Sequence, residues 1–137
     1  MSNINWNKPN FKISKYFTVG EVTQNDKRRT PIKGSVIERN ILFLAAKLDS
    51  IRDNWGQPIG VTSWYRPPIV NAEVGGVSNS QHLTGSAVDI YSYSGNENKF
   101  EEFLDIEWFD RHLGYGVASG RGFTHLDLRK GGVRWNY

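Results

Sequence analysis

The sequence contains no cysteine among its 137 residues, and this absence excludes two kinds of chemistry. Disulfide bonds cannot form, and no thiolate is present to bind a metal. Any metal ion must therefore be held by histidine and carboxylate side chains. Histidine itself is scarce, with three residues in the chain. The lack of cysteine is compatible with either redox compartment, so it does not indicate a location.

Long apolar runs are also missing, and no stretch approaches the roughly 20 residues that a membrane-spanning helix needs. The first ten residues do not show a basic segment followed by an apolar run, so we expect no secretory signal peptide. A substrate outside the cytoplasm would have to be reached by lysis, in a phage particle or through a fusion. We expect a cytoplasmic or phage-associated protein that acts after release.

The charge of the chain is mildly positive, with a formal net charge of +3. This balance favours an anionic polymer as partner, or it is simply a slightly basic surface. The lysines and arginines are scattered and do not alternate with aromatic residues, which argues against nucleic-acid binding. The length predicts a single domain, which we place at residues 17–137 after an irregular arm at residues 1–16, and we expect a monomer.

One long helix is predicted after residue 34. Ser35 and Glu38 form a Ser-x-x-Glu capping box, and Gly56 marks the end of the helix. Between them, apolar residues recur every three or four positions, at Ile37, Ile41, Leu44, Ala45, Leu48 and Ile51. This stripe predicts a helix that is buried along one side and belongs to the core.

Three strands are predicted from β-branched and aromatic runs, at residues 59–65, 87–91 and 123–128. Short helical segments are expected at residues 69–74 and 99–104. The unequal spacing of these elements favours an α+β fold with a small antiparallel sheet and helices packed on one side of it.

The chemistry of the chain centres on two histidines and one acid. His82 is followed seven residues later by Asp89, and His125 lies on the third predicted strand. If the second and third strands are neighbours, Asp89 and His125 meet above one face of the sheet. Two histidines and one carboxylate leave a fourth position open on a tetrahedral Zn²⁺, which is typical of a hydrolytic site. The alternative is that each residue is an ordinary surface or hydrogen-bonded side chain.

Two further residues are candidates for catalysis. Asp127 shares a strand face with His125, so it can accept a proton from water or orient an imidazole as an outer acceptor. His112 and the glutamates are alternative bases, although His112 also fits the end of a helix. Arg66 follows the first predicted strand and can bind a carboxylate or a developing oxyanion, unless it is a surface residue.

Four segments resemble the zinc D-alanyl-D-alanine carboxypeptidase family, which includes small carboxypeptidases and phage or bacterial murein endopeptidases and shares the fold of the hedgehog signalling domain. They are residues 63–67, 70–76, 78–90 and 122–129. The resemblance covers roughly residues 17–129. Its Ser-x-His-x6-Asp and His-x-Asp elements are specific in this order.

The resemblance implies that His82, Asp89 and His125 bind Zn²⁺ and that Arg66 contacts the substrate near the scissile bond. It also implies hydrolysis of peptidoglycan stem peptides next to a D-amino acid. The chain departs from the family at the general base. Many relatives carry a glutamate where this chain has Gly122, and others carry a histidine where it has Phe123.

Two hypotheses follow for the function. The first is a zinc peptidase that acts on the peptide part of peptidoglycan. The second is a non-catalytic, metal-stabilised module of the same fold that binds the cell wall or a protein partner. A complete three-residue site with an open coordination position favours the enzyme.

Overall fold

The computed structural model describes residues 2–110, 116–119 and 122–137. Its α-helices are α1 (Val19–Thr23), α2 (Val36–Trp55), α3 (Pro68–Glu73) and α4 (Glu97–Leu104). Short 3₁₀ turns occupy Lys27–Arg29 and Gln81–Thr84, and a π-helical turn, Asp105–Asp110, follows α4. The strands are β1 (Ile59–Ser63), β2 (Ala87–Ser92), β3 (Gly116–Ser119), β4 (Thr124–Asp127) and β5 (Arg134–Asn136).

Helix α2 begins and ends where the sequence predicts. The Ser35 hydroxyl accepts a hydrogen bond from the Glu38 backbone N–H, and Gly56 closes the helix in the left-handed conformation, with φ +77°. The capping box is only half formed. The Glu38 carboxylate accepts from the Gly34 N–H and from the Trp6 indole N–H and not from the N–H of Ser35, so it connects the N-terminal arm to α2.

The five strands form one sheet in the order β1-β2-β4-β3-β5. The first three neighbouring pairs are antiparallel, whereas β5 lies parallel to β3. The predicted α+β class with a small antiparallel sheet is therefore confirmed, with a short parallel strand added at one edge. The first strand ends at Ser63, two residues earlier than predicted, which leaves Trp64 and Tyr65 outside the sheet.

The two faces of the sheet have different roles. Val88, Ile90 and Leu126 are buried in a core that also contains the apolar stripe of α2 and two residues of α4, Phe100 and Leu104. Because side chains alternate along a strand, Asp89 on β2 and His125 on β4 belong to the opposite face. The helices thus fill one side, and the other side is left for polar groups.

The N-terminal arm packs against this body. Ile4 is buried, and the Trp6 indole N–H donates to Glu38 at 2.7 Å. The proposed division into an arm at residues 1–16 and a domain at residues 17–137 stays a prediction. Among the helices of the described ranges, none combines the length and the apolar character that crossing a membrane requires.

Candidate metal centre

Three elements bring His82, Asp89 and His125 together. His82 lies in the 3₁₀ turn before β2, where the Ser80 hydroxyl accepts from its backbone N–H. Asp89 on β2 is the direct cross-strand partner of His125 on β4. One ligand atom of each of the three residues lies within 4.8 Å of the others, and all three side chains are buried. The neighbouring strands expected from the sequence are therefore present.

The imidazole of His82 is oriented by a backbone carbonyl. Its Nδ1 lies 2.6 Å from the Trp64 carbonyl oxygen, and since a carbonyl only accepts, Nδ1 carries the hydrogen. Burial lowers the pKa of His82 and favours the neutral ring, although Asp89 opposes this effect. The other nitrogen, Nε2, then presents a lone pair 3.2 Å from Asp89 Oδ1.

His125 lies between two carboxylates. Its Nε2 is 2.8 Å from Asp127 Oδ2, and its Nδ1 is 3.0 Å from Asp89 Oδ1. Burial acts to lower the pKa of His125, but the hydrogen bonds to Asp127 and Asp89 outweigh it and raise the pKa. For Asp89 burial acts to raise the pKa, and the two histidines outweigh it and hold the pKa below its usual value.

This arrangement fits a metal ion. Nδ1 of His82 contacts the Trp64 carbonyl, and Nε2 of His125 contacts Asp127. The other two ring nitrogens both face one oxygen of Asp89, at 3.2 and 3.0 Å. Two donors on a tetrahedral ion with bonds of about 2.0–2.1 Å are about 3.3 Å apart. For the neutral ring of His82, a lone pair directed at a carboxylate oxygen is unfavourable unless a cation lies between them. Nitrogen and carboxylate oxygen are ligands that suit Zn²⁺.

Arg66 is held at the second oxygen of Asp89. Its Nη2 donates to Asp89 Oδ2 at 3.3 Å, its Nε donates to the Ser63 hydroxyl at 3.0 Å, and its Nη1 is 3.4 Å from Asn71 Oδ1. Its backbone N–H donates to the His82 carbonyl at 2.9 Å. Arg66 therefore fixes the carboxylate while leaving Oδ1 directed at the two histidines.

The residues that support Arg66 were not identified from the sequence. The Ser63 hydroxyl also accepts from the buried Arg29 at 2.8 Å. A Cβ at Gly76 would collide with Asn71 Oδ1 and come within 3.1 Å of Arg66 Nη1, so this position needs a glycine. The signal for Gly76 was its place in the Gly-Gly pair, which reads equally well as an ordinary turn.

Asp127 is completely buried and both of its oxygens have donors. Oδ1 accepts from the Arg129 backbone N–H at 3.1 Å. Oδ2 accepts from His125 Nε2 and from the Arg129 guanidinium, whose Nη2 is 2.7 Å away. Burial acts to raise the pKa of Asp127, but His125 and Arg129 outweigh it and lower the pKa. The carboxylate thus contacts the ring nitrogen of His125 that faces away from Asp89. His112 lies outside the described residues.

Aromatic residues of the C-terminal segment stand beside His125. The ring centroids of Trp135 and Tyr137 are 5.3 and 6.2 Å from that of His125, and the Arg129 guanidinium lies 4.5 Å from the Trp135 ring centroid. Burial, followed by the charge of Asp89, raises the pKa of Tyr137. These two residues were not predicted from the sequence to belong to the site, because nothing local indicates that β5 pairs with β3.

This chain has Gly122 at the position where the family resemblance would place a glutamate. Gly122 has φ +73°, and the atom near the place of a Cβ is Glu97 Oε1, at 3.7 Å. The two departures seen in the sequence, Gly122 and Phe123, therefore remain departures in the structure. Because residue 122 is a glycine, this position does not supply the carboxylate that the family resemblance would place there.

Comparison with known proteins gives the family to which this chain belongs. The profile of the family described as Peptidase M15 matches residues 15–127, so the chain belongs to the Peptidase M15 family. It is also 28% identical over 113 residues to the zinc D-Ala-D-Ala carboxypeptidase of Streptomyces albus G, a match that covers 80% of this chain and 44% of that protein. The chain therefore spans less than half the length of this relative. The predicted family is confirmed.

Proposed function

We propose that the chain is a zinc-dependent peptidase that hydrolyses peptidoglycan stem peptides next to a D-amino acid, as a D-alanyl-D-alanine carboxypeptidase or a murein endopeptidase. The observation that carries the proposal is the convergence of His82 Nε2 and His125 Nδ1 on Asp89 Oδ1. Membership of a peptidase family and the name of the Streptomyces relative support it.

His82, Asp89 and His125 are the proposed ligands. Zn²⁺ held by these residues supplies Lewis acidity toward the scissile carbonyl and toward a water molecule. The protein keeps the three donors in place before the metal arrives, since the Trp64 carbonyl fixes the ring of His82 and β-pairing fixes the distance from Asp89 to His125. Preorganised ligands of this kind raise affinity because little has to move on binding.

Arg66 is the proposed substrate contact. It is 15% exposed, and its three hydrogen bonds hold the guanidinium beside the carboxylate of Asp89. A fixed, planar guanidinium can donate to a substrate carboxylate or to the oxyanion that develops on the scissile carbonyl.

For Asp127 we propose the orienting role. Its oxygens are used by His125 and Arg129, and its side chain is fully buried. A buried carboxylate that accepts the N–H of a ligating histidine fixes the tautomer and makes the ring a better ligand. Of the two roles that the sequence left open for Asp127, the contacts favour this one over proton transfer from water.

One observation favours the second candidate function, a non-catalytic module of the same fold. Neither Gly122 nor Phe123 supplies the base that many relatives carry at those positions. Such a module would bind the metal and the cell wall or a protein partner without turnover.

The deciding experiment uses the full chain loaded with one equivalent of Zn²⁺. A peptide ending in D-Ala-D-Ala, its D-Ala-L-Ala counterpart and purified peptidoglycan are offered as substrates, and released alanine and peptide fragments are measured by mass spectrometry. Hydrolysis that is specific to the D-amino acid and abolished by a chelator supports the enzyme. A protein that binds one ion per chain and cleaves none of the three is the non-catalytic module.

A further inference from the structure

A groove separates the N-terminal arm from the turn that follows α1. It consists of two adjoining cavities of about 560 and 500 Å³, and both are lined by Trp6, Asn7 and Thr30. Each volume is in the range of about 300–1,000 Å³ that is usual for small-molecule sites. None of the proposed metal ligands lines either cavity, so the groove is a separate feature.

Both walls of the groove are fixed. On the arm side, the Trp6 indole N–H is bonded to Glu38, and the Pro9 carbonyl accepts from the Gly20 N–H at 2.8 Å. On the other side, the Gln24 side chain donates to the carbonyl of Val61 on β1 at 3.1 Å. A groove with fixed walls binds a ligand without an ordering cost on the protein side.

The lining has unused hydrogen-bonding groups. Within the described ranges, the side-chain amides of Asn7 and Asn25 have no hydrogen-bond partner, and both residues are exposed. Asn25 adopts a positive φ of 60°, directly after Gln24 at 52°. Gln24 is the left-handed C-cap of α1, and asparagine tolerates a positive φ better than most residues, so these angles end the helix and fix the position of Asn25. By contrast, the carboxylate of Asp26 is already bonded to Arg28.

Exposed amides beside a fixed indole are suited to one class of ligand. An amide offers two donors and an acceptor, which suits hydroxyl and acetamido groups, and an indole fixed by its N–H offers an apolar surface to one side of a sugar ring. We propose that the groove is a saccharide-binding site for a chain of N-acetylhexosamines.

The position of the groove fits the proposed function. The biological interpretation of this inference rests on that proposed function. Lys27 and Thr30 line the groove, and between them Arg29 extends inward to the hydroxyl of Ser63, which also accepts from Arg66. Hydrogen bonds through Arg29, Ser63 and Arg66 thus connect the region beneath the groove to Asp89 of the candidate metal centre. A glycan strand held in the groove would carry the stem peptides on which the proposed peptidase acts.

The test is a ¹⁵N NMR titration of the full chain with the tetramer of N-acetylglucosamine. Saturable shifts are expected at the side-chain amides of Asn7 and Asn25 and at the Trp6 indole, with a Kd on the order of 1 mM. Maltotetraose, which has no acetamido groups, is expected to bind at least about 5-fold more weakly, because one hydrogen bond per sugar is lost.

The double variant Asn7→Ala/Asn25→Gly removes both amides and keeps a residue that tolerates positive φ at position 25. It is expected to bind the tetramer at least about 10-fold more weakly, whereas Asn98→Ala, at a distant exposed asparagine, binds as the wild type does. Equal binding by the double variant, shifts outside the groove, or binding of polyglutamate in place of the sugar overturns the proposal. Since nothing is hydrolysed here, failure of the proposed peptidase activity leaves this result unaffected, and active peptidase without sugar binding overturns the groove alone.

Discussion

The carboxylate of Asp127 lies 2.8 Å from Nε2 of His125, the ring nitrogen that does not face Asp89. The two residues are two positions apart on β4, so their side chains leave the strand on the same face. Arg129 donates hydrogen bonds to the Asp127 carboxylate from its backbone N–H and from its guanidinium. The proposed ligand nitrogen of His125, Nδ1, is thereby directed at Asp89 by two residues that are not themselves proposed metal ligands.

Replacing Asp127 by asparagine tests the orienting role. The variant Asp127→Asn is expected to bind Zn²⁺ about 10- to 100-fold more weakly, because an amide no longer fixes the His125 tautomer. Excess Zn²⁺ should restore turnover to within a few-fold of the wild type. Metal affinity is measured by competition with a chromogenic chelator, and turnover is measured on the substrate that the wild type cleaves.

The matched control is Glu102→Gln, an exposed glutamate on α4, which should change neither quantity. If Asp127 is instead the proton acceptor, saturating Zn²⁺ leaves Asp127→Asn inactive while its metal content is normal. That pattern would return Asp127 to the catalytic role considered from the sequence.

The pH dependence of metal binding follows from His125. Its pKa is raised above the ordinary histidine value of about 6.5, so at pH 6 most rings carry a second proton, and this proton occupies Nδ1. Asp89 and His82 have lowered pKa values, so each loses its proton at a lower pH than His125 does. Below the pKa of His125, Zn²⁺ binding should therefore displace this proton, with an affinity that rises with pH and levels off above that pKa.

Calorimetry in buffers of different ionisation enthalpy measures this proton. Release of no proton at pH 6 contradicts the assignment. In the metal-free protein, the contribution of His125 to the free energy of unfolding changes with pH in the opposite direction. A raised folded-state pKa means that the stabilising contribution of His125 is complete below its unfolded value of about 6.5, and it is lost as the pH rises through the folded value.

Much of the framework of the fold is predictable from local pattern. The Ser35 cap, the apolar stripe and Gly56 determine α2 almost to the residue, because each is a local device with few alternatives. The third strand, predicted at residues 123–128, is observed at Thr124–Asp127. Strands β3 and β5 were not predicted, since they are four and three residues long and form through pairing with distant segments.

The candidate site is likewise predictable from the sequence only in part. Period-two alternation is sufficient to place Asp127 beside His125 and to bring Asp89 onto the same face once the strands are adjacent. The contact of the Trp64 carbonyl with His82 was not predictable, because it depends on β1 ending at Ser63 and not at Tyr65. Its signal in the sequence was no more than a run of β-branched and aromatic residues.

Metal binding should be measurable as stability. At a free Zn²⁺ concentration 100 times the Kd, binding to the folded state alone adds about 2.7 kcal/mol to the free energy of unfolding. The variant Asp89→Asn, which keeps the size of the side chain, should lose this increment, and Glu102→Gln should keep it. Urea denaturation with and without Zn²⁺ gives both values, and an unchanged increment in Asp89→Asn would remove Asp89 from the ligand set.

The glycine pair after α3 allows the placement of Arg66 to be tested without touching any charged group. Gly75 has φ +73° and no atom within 4 Å of a Cβ, so Gly75→Ala introduces backbone strain alone, about 1–2 kcal/mol. A Cβ at Gly76 would instead collide with Asn71 Oδ1 and come within 3.1 Å of Arg66 Nη1. We expect Gly76→Ala to shift the guanidinium.

The two variants should therefore separate stability from catalysis. Gly75→Ala is expected to lower the midpoint of unfolding while keeping kcat/KM near the wild-type value. Gly76→Ala is expected to lower kcat/KM by roughly 10- to 100-fold, because small displacements of a group that contacts the reacting part of the substrate are costly. Both should still bind one Zn²⁺ per chain, since His82, Asp89 and His125 are unchanged. If Gly76→Ala retains full kcat/KM, the position of Arg66 has no bearing on turnover, and its hydrogen bond to Asp89 is then a structural contact.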